Sequence, residues 1–310
     1  MRFPAAGRAS SAVPPLSAYG HLLTIYLVWG AAYLAVKICI AGTAAITVLQ
    51  LQSARMWCAA LLLGVVAMVR SGEVPRLSVS DIGTCMVSGL LMWVAGNGLA
   101  TLASHHATSS FIVMALGAIP LWSCLFDLVI ARSVPSRGVV LGLVLGLLGL
   151  FLVMAPALLD TRSAIIAPGH AGFVALVLVG AGASWSLGTI VQRPLMRRVQ
   201  PEWAATFQML AAALVLTVLA AAEAAPLPGP PDMQQVLAFG FLIVFASVIG
   251  LTSYIRVLRA FSPVVASTFA YVNPIIGVLL GSTILGEELA PVSLLGLVAV
   301  LASIFIVVKN

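Results

Sequence analysis

The stretch LGLVLGLLGLFLV at residues 141–153 recurs 154 residues later as LGLVAVLASIFIV at residues 295–307, with seven identities in thirteen positions. The same shift places Pro120 on Pro274. Self-similarity at a fixed interval is typical of a chain built from copies of one structural unit. The sequence therefore predicts two repeats, each ending in a leucine-rich helix.

Apolar residues dominate the composition. Of the 310 residues, 62% are hydrophobic and 8% are charged, whereas about a quarter of the residues of a soluble domain are charged. Apolar runs recur along the chain, and a run of about 20 residues crosses the ~30 Å hydrocarbon core of a bilayer as a helix. This pattern excludes a soluble globular protein and predicts an all-α integral membrane protein.

Ten apolar runs predict ten transmembrane helices. They cover residues 21–41, 44–69, 81–103, 108–131, 136–158, 171–192, 202–224, 234–255, 263–285 and 291–308. Each half of the chain holds five, and this odd number makes the second half enter the membrane from the opposite face. The expected fold is therefore two inverted five-helix repeats, which is an architecture of many secondary transporters.

Three segments divide the chain on this interpretation. Residues 1–18 are small, polar and proline-containing, which predicts a disordered cytoplasmic tail. Residues 19–158 form the first predicted five-helix repeat and residues 171–308 the second.

The distribution of basic residues predicts the orientation. With a cytoplasmic N-terminus, twelve Arg and Lys residues lie on the inner side of the membrane and Arg162 alone on the outer side. Cytoplasmic loops carry an excess of such residues, so both termini are expected inside, in a bacterial-style inner membrane. The net charge of +6 has the same explanation, and we expect no nucleic-acid binding.

Three motifs carry a resemblance to a known family. They are VWGAAYLAVK (28–37), SARMWCAALLLG (53–64) and NPIIGVLLGSTILGEEL (273–289). In order and spacing, over about residues 20–308, the chain resembles the paired EamA repeats of the drug/metabolite transporter superfamily. One departure is that the acidic Glu287 corresponds to Ser133 in the first half. The resemblance implies a transporter of small metabolites, with amino acids or their analogues as the foremost substrates.

Ionisable residues inside the predicted spans are the first candidates for a site, because a charge within the bilayer is costly. Arg55 lies near the middle of the second span, and Lys37 lies nearer the outer end of the first. Each is interpreted either as a substrate contact or as a scaffold residue. Asp127, near the cytoplasmic end of the fourth span, is expected to pair with Arg132, with proton relay as the alternative.

Aromatic and neutral polar residues inside the spans complete the candidate substrate site, with helix packing and interhelical hydrogen bonding as the alternative interpretation. The predicted substrate-binding residues are Trp29, Tyr33, Lys37, Arg55, Trp93, Asn97, Trp185, Gln208, Tyr271 and Asn273. Pro120 and Pro274 interrupt corresponding helices and are the predicted hinges, since broken helices at matched positions point to a transporter's central site.

The sequence lacks the HExxH and GxSxG motifs and paired carboxylates within a span, so we expect no catalytic residue, no metal site and no cofactor. The predicted function is export of small metabolites by facilitated alternating access. A proton-coupled drug or metabolite antiporter and an intramembrane enzyme are the alternatives. The partners are the solute and the bilayer. Glycines at four-residue intervals from Gly138 to Gly146 predict close packing on the tenth helix or between subunits of a homo-oligomer.

Overall fold

The computed structural model describes residues 14–103, 105–107, 109–130, 132–159, 166–195, 198–276 and 291–310. The helices of these ranges are α1 (Leu16–Ala41), α2 (Val48–Ser71), α3 (Val79–Ala103), α4 (Ser109–Leu116), α5 (Ile119–Ile130), α6 (Arg137–Leu159), α7 (Ala171–Val191), α8 (Pro201–Ala222), α9 (Met233–Ala260), α10 (Pro263–Ala266), α11 (269–276) and α12 (Pro291–Lys309). Predicted and observed helix ends differ by five residues or fewer wherever both are described.

The described part of the chain is all-helical, apart from one isolated bridge between Ala107 and Ile166. Eight spans within it are long and apolar enough to cross a membrane, with α4 and α5 together making one of them. Two further apolar stretches, Arg137–Val153 and Pro263–Ile276, are shorter. These features are consistent with an integral membrane protein, while the count of ten stays a prediction. Residues 1–13 of the predicted tail lie outside the described residues, and α1 already begins at Leu16.

Local sequence explains where several helices begin. Thr47, Ser78 and Asp232 each precede a helix and form a capping box, in which the side chain accepts from the backbone N–H three residues on. Such boxes satisfy donors that the first turn of a helix leaves unpaired. Pro201 and Pro263 occupy first positions of helices, where the missing N–H has no intrahelical acceptor to lose.

The glycine face of α6 packs against α12. A Cβ atom on Gly142 would lie 2.6 Å from the Val307 side chain, and one on Gly149 would lie 2.8 Å from the Val300 backbone nitrogen. The hydroxyl of Ser303 donates to the carbonyl of Gly142 at 2.6 Å. Because glycine has no side chain, the backbones of α6 and α12 approach each other closely. Of the two predicted partners for this face, the structure shows the last helix.

Candidate functional site

An aromatic cluster lies where α1, α3, α7, α9 and α11 meet. Its members, Trp29, Trp93, Trp185, Tyr254 and Phe269, are all buried. The rings of Trp29 and Trp185 are nearly perpendicular, with centroids 5.5 Å apart. Trp93 lies 5.4 Å from Trp185, and Phe269 lies 4.7 Å from Trp29. Edge-to-face contacts of this kind stabilise a packed aromatic group beyond its buried area.

Two π-helical segments border the cluster. They are Leu90–Asn97 within α3 and Leu242–Ile249 within α9. A π-helical turn shifts the hydrogen-bond pattern of a helix locally and is frequent at functional sites. The indole N–H of Trp29 donates to the carbonyl of Ala246 in the second segment at 2.9 Å, so the altered backbone directly positions an aromatic side chain.

Arg55 places a cation beside the aromatic cluster. Only 3% of the residue is exposed, and its Nε donates to the Ser247 hydroxyl at 2.8 Å. The guanidinium carbon lies 5.7 Å from the centroid of the Trp93 ring. Gln52, one turn earlier on α2, accepts from Arg55 at 3.4 Å and donates to Asn97 at 2.9 Å. Polar side chains of α2, α3 and α9 thus orient the guanidinium, whose planar fork suits a carboxylate.

Among the described residues, several buried polar side-chain atoms have no hydrogen-bond partner. They include the indole nitrogen of Trp93 within the cluster and the amide oxygens of Gln208 and Asn273 elsewhere in the bundle. A buried polar atom without a partner is costly, so a solute or water that supplies partners would be stabilised here. The Trp93 indole offers such a solute one donor beside Arg55.

The structure brings together half of the predicted substrate-binding residues. Trp29, Trp93, Trp185, Arg55 and Asn97 form one connected group through the contacts given above. Sequence reasoning identified these positions because charged, aromatic and amide side chains stand out in apolar helices.

The other predicted residues have different surroundings. Gln208 is fully buried and donates to Gln192 at 2.8 Å. The hydroxyl of Tyr271 donates to the carbonyl of Leu143 at 3.2 Å, which ties α11 to α6. Lys37 is exposed on the surface of α1, away from the cluster, while Asn273 is buried. The side chain of Tyr33 lies outside the described residues.

The two predicted hinges differ in position. Pro120 is the second residue of α5 and lies two residues after the break at 117–118 between α4 and α5. The break between α10 and α11 falls at 267–268, so Pro274 lies inside the helical segment that follows. Both helices are interrupted near their prolines, but by different local geometries.

Sequence reasoning missed several residues of the region. Tyr254 is fully buried and its hydroxyl lies 2.7 Å from that of Thr189, yet it stands in an ordinary stretch near the end of α9. Phe269 and Ser247 gave no signal, since apolar and small residues fill every span. Gln52 could have been found, because it precedes Arg55 by three residues and so shares its helix face.

Ion pairs cluster at one end of the bundle, called the charged end below. Asp127 pairs with Arg193 at 2.7 Å, so the predicted partner Arg132 was wrong. Sequence proximity suggested Arg132, but α7 ends beside α5 and brings Arg193 closer. Glu202 lies 3.5 Å from Arg70 and also pairs with Arg256. These contacts join α2 to α8 and α9.

Comparisons with known proteins agree with this architecture. The EamA-like transporter family matches residues 172–309. The uncharacterized inner membrane transporter YedA of Escherichia coli K12 is 27% identical over 293 residues, covering 94% of this chain and 90% of its own length. YedA of E. coli O157:H7 matches equally.

A solved crystal structure superposes on this chain with a TM-score of 0.78 at 17% identity, covering 94% of this chain and 98% of the other. This likeness shows that the two chains share a fold. The resemblance inferred from the sequence motifs is thereby confirmed by the family match and the YedA homology together. The chain carries an EamA-like transporter domain over residues 172–309 and is homologous along nearly its whole length to an inner membrane transporter.

Proposed function

We propose that this chain exports small metabolites with a carboxylate group, amino acids or their analogues foremost, across the inner membrane by facilitated alternating access. The observation that carries the proposal is the buried guanidinium of Arg55 beside the Trp93 ring. A cation at mid-depth and an aromatic wall suit a solute with an anionic group and an apolar body.

The proposed scaffold is the ten-helix arrangement of two inverted repeats, residues 19–158 and 171–308. Matched contacts around the aromatic cluster support it. A Cβ atom on Gly250 would touch Trp29 at 2.5 Å, and one on Gly96 would touch the Trp185 side chain at 3.3 Å. Gly96 and Gly250 are 154 residues apart, Trp29 and Trp185 are 156 apart, and the two π-helical segments begin 152 apart, so these features correspond to within two residues of the repeat interval.

The proposed orientation has both termini in the cytoplasm, with the charged end facing inward. Its support is the concentration of Arg residues there, including Arg70, Arg193 and Arg256, since basic residues favour the cytoplasmic side. The ion pairs between α2, α8 and α9 must separate or shift for a pathway to open at this end. They are the proposed inner gate contacts of the alternating-access cycle.

A solute panel of graded charge tests the role of Arg55. Transport is measured in proteoliposomes for an amino acid, its amide and its deaminated carboxylic acid, normalised to folded protein. Arg55→Gln is expected to lower transport of both carboxylates by about 30-fold or more while sparing the amide, because a buried charge-assisted contact is worth ~2 kcal/mol or more. Arg55→Lys, which keeps the charge without the fork, should give a smaller loss.

The matched control is Arg76→Gln, which removes an exposed cation outside the helices and should leave transport unchanged. A uniform loss over the whole panel for Arg55→Gln would contradict a carboxylate contact and leave Arg55 as a scaffold residue.

Proton-coupled antiport is the second candidate, favoured by one observation. Asp127 is a buried carboxylate within α5, and its only described ion pair is with Arg193. Release of that pair on protonation would couple proton binding to movement of α5 against α7. Solute-dependent proton flux in the same proteoliposomes, lost in Asp127→Asn, would support antiport over the facilitated mechanism.

A further inference from the structure

A groove runs between α2 and α8 on the outer surface of the bundle. It is lined by α2 from Trp57 to Met68 and by Trp203, Thr206 and Leu210 of α8, and it has a volume of about 440 Å³. The aromatic cluster does not contribute to its lining. The groove is therefore separate from the candidate transport site.

The walls of the groove are apolar and open to the surroundings. Leu61 is 67% exposed and Val65 is 59% exposed. Gly64 leaves the floor open, since a Cβ atom there would meet only the methyl group of Thr206, at 3.6 Å. In a membrane-spanning helix, such a surface contacts hydrocarbon chains rather than water.

The two tryptophans of the groove have their indole donors satisfied within the protein. The indole N–H of Trp57 donates to Thr217 at 2.9 Å, and that of Trp203 donates to Ser71 at 3.3 Å. With both donors satisfied inside the protein, the groove favours an occupant without hydrogen-bonding groups along its length.

The length of the groove matches one leaflet. From Trp57 to Met68, α2 rises about 16 Å at 1.5 Å per residue, which is about half of the ~30 Å hydrocarbon core. A transmembrane helix of a second chain would extend through both leaflets and is about 10 Å wide. A single acyl chain fits the length and the volume better.

The groove ends beside an excess of positive charge. Arg70 follows Met68 by two residues, and its side chain is 62% exposed even though it lies 3.5 Å from Glu202. Glu202 also pairs with Arg256, so one carboxylate serves two guanidinium groups. An anionic headgroup next to Arg70 would balance the remaining charge.

We propose that the groove between α2 and α8 binds one acyl chain of an anionic glycerophospholipid from the leaflet at the charged end, with the phosphate held by Arg70. The groove is separate from the aromatic cluster, and lipid retention is measured without transport, so the test does not depend on the proposed transport function even though Arg70 also pairs with Glu202. Its occupant lies along the seam where α2 meets α8.

Native mass spectrometry of the full chain in mild detergent tests this proposal. The chain is incubated with phosphatidylglycerol or with phosphatidylcholine of identical acyl chains. One retained phosphatidylglycerol per chain is expected, with a preference of about fivefold or more over phosphatidylcholine. Arg70→Gln should abolish the preference while leaving chain binding, and Gly64→Leu should lower retention of both lipids by about tenfold or more.

Gly240→Leu is the matched control, because a Cβ atom at Gly240 of α9 meets nothing within 4 Å and the position lies outside the groove. It should retain lipid like the wild type. Equal retention of the two lipids by the wild type, unchanged retention by Gly64→Leu, or a second protein chain lost in Gly64→Leu would each overturn the proposal. If Gly64→Leu does not melt cooperatively, the lipid preference of Arg70→Gln decides.

Discussion

Helices α2 and α8 carry different groups at the same position. Arg55 follows the N-cap residue Thr47 by eight residues, and Gln208 follows the N-cap residue Gln200 by eight. Both side chains are buried. Arg55 contacts the Ser247 hydroxyl across the bundle, whereas Gln208 contacts an amide. The difference teaches that two helices of the same length class carry a charge on one side of the bundle and a neutral hydrogen-bonding group on the other.

Packing, in contrast, is similar on the two sides. Trp29 lies against Gly250, and Trp185 lies against Gly96. The two indoles contact each other at 5.5 Å. Glycine is needed at Gly250, because a Cβ atom there would lie 2.5 Å from the indole nitrogen of Trp29, whereas a Cβ atom on Gly96 would meet the Trp185 Cβ at 3.3 Å. The two halves of the bundle thus share a tryptophan-on-glycine contact, while only one of them carries a buried cation.

The largest expected effect comes from placing the cation on the other side. Gln208→Arg should lower the free energy of unfolding by about 3–5 kcal/mol, because a buried charge without a carboxylate partner is uncompensated. Thermal melting in detergent measures the loss. Gln234→Arg is the control, since Gln234 is exposed at the start of α9 and such changes are usually within about 0.5 kcal/mol.

The double variant Arg55→Gln/Gln208→Arg sharpens the same comparison. It should not regain transport of carboxylates, because the Ser247 hydroxyl and the Trp93 ring surround Arg55 and not Gln208. Wild-type transport by the double variant would show that the two positions are interchangeable.

Substitutions of the two prolines should have the next largest difference in effect on stability and transport. Pro274→Ala should raise the free energy of unfolding by about 1–3 kcal/mol and slow transport, because it restores a helical N–H and stiffens α11. Pro120→Ala should change both little, since a proline at the start of a helix forfeits no helical hydrogen bond. Melting and transport measured on both variants check this, and equal effects would contradict the different positions of the two breaks.

The smallest expected difference is between two glycines. Gly250→Ala should destabilise by about 1–2 kcal/mol, because the new methyl group displaces Trp29 and its hydrogen bond to Ala246. Gly96→Ala should be nearly neutral, since its closest contacts are 3.2 Å or longer and alanine gains about 1 kcal/mol of helix propensity. Thermal melting compares them, and a larger loss for Gly96→Ala would reverse the interpretation.

The sequence by itself determined the all-helical membrane class, the described helix ends to within five residues, and the fact that Arg55 and the tryptophans stand out within apolar helices. These features depend on local composition, because apolar runs must satisfy their backbone within one helix and a charge inside such a run stands out. The motifs were also sufficient to identify the family.

Only the tertiary structure decided which groups meet. It paired Asp127 with Arg193 rather than Arg132, brought Tyr254 and Phe269 to the two tryptophans, and placed the glycine face of α6 on α12. It also showed the π-helical turns, which apolar sequence does not distinguish from α-helix. In a bilayer most faces of a helix are apolar. Helix partners are therefore selected by close packing and by sparse polar contacts between distant residues, which a local pattern cannot specify.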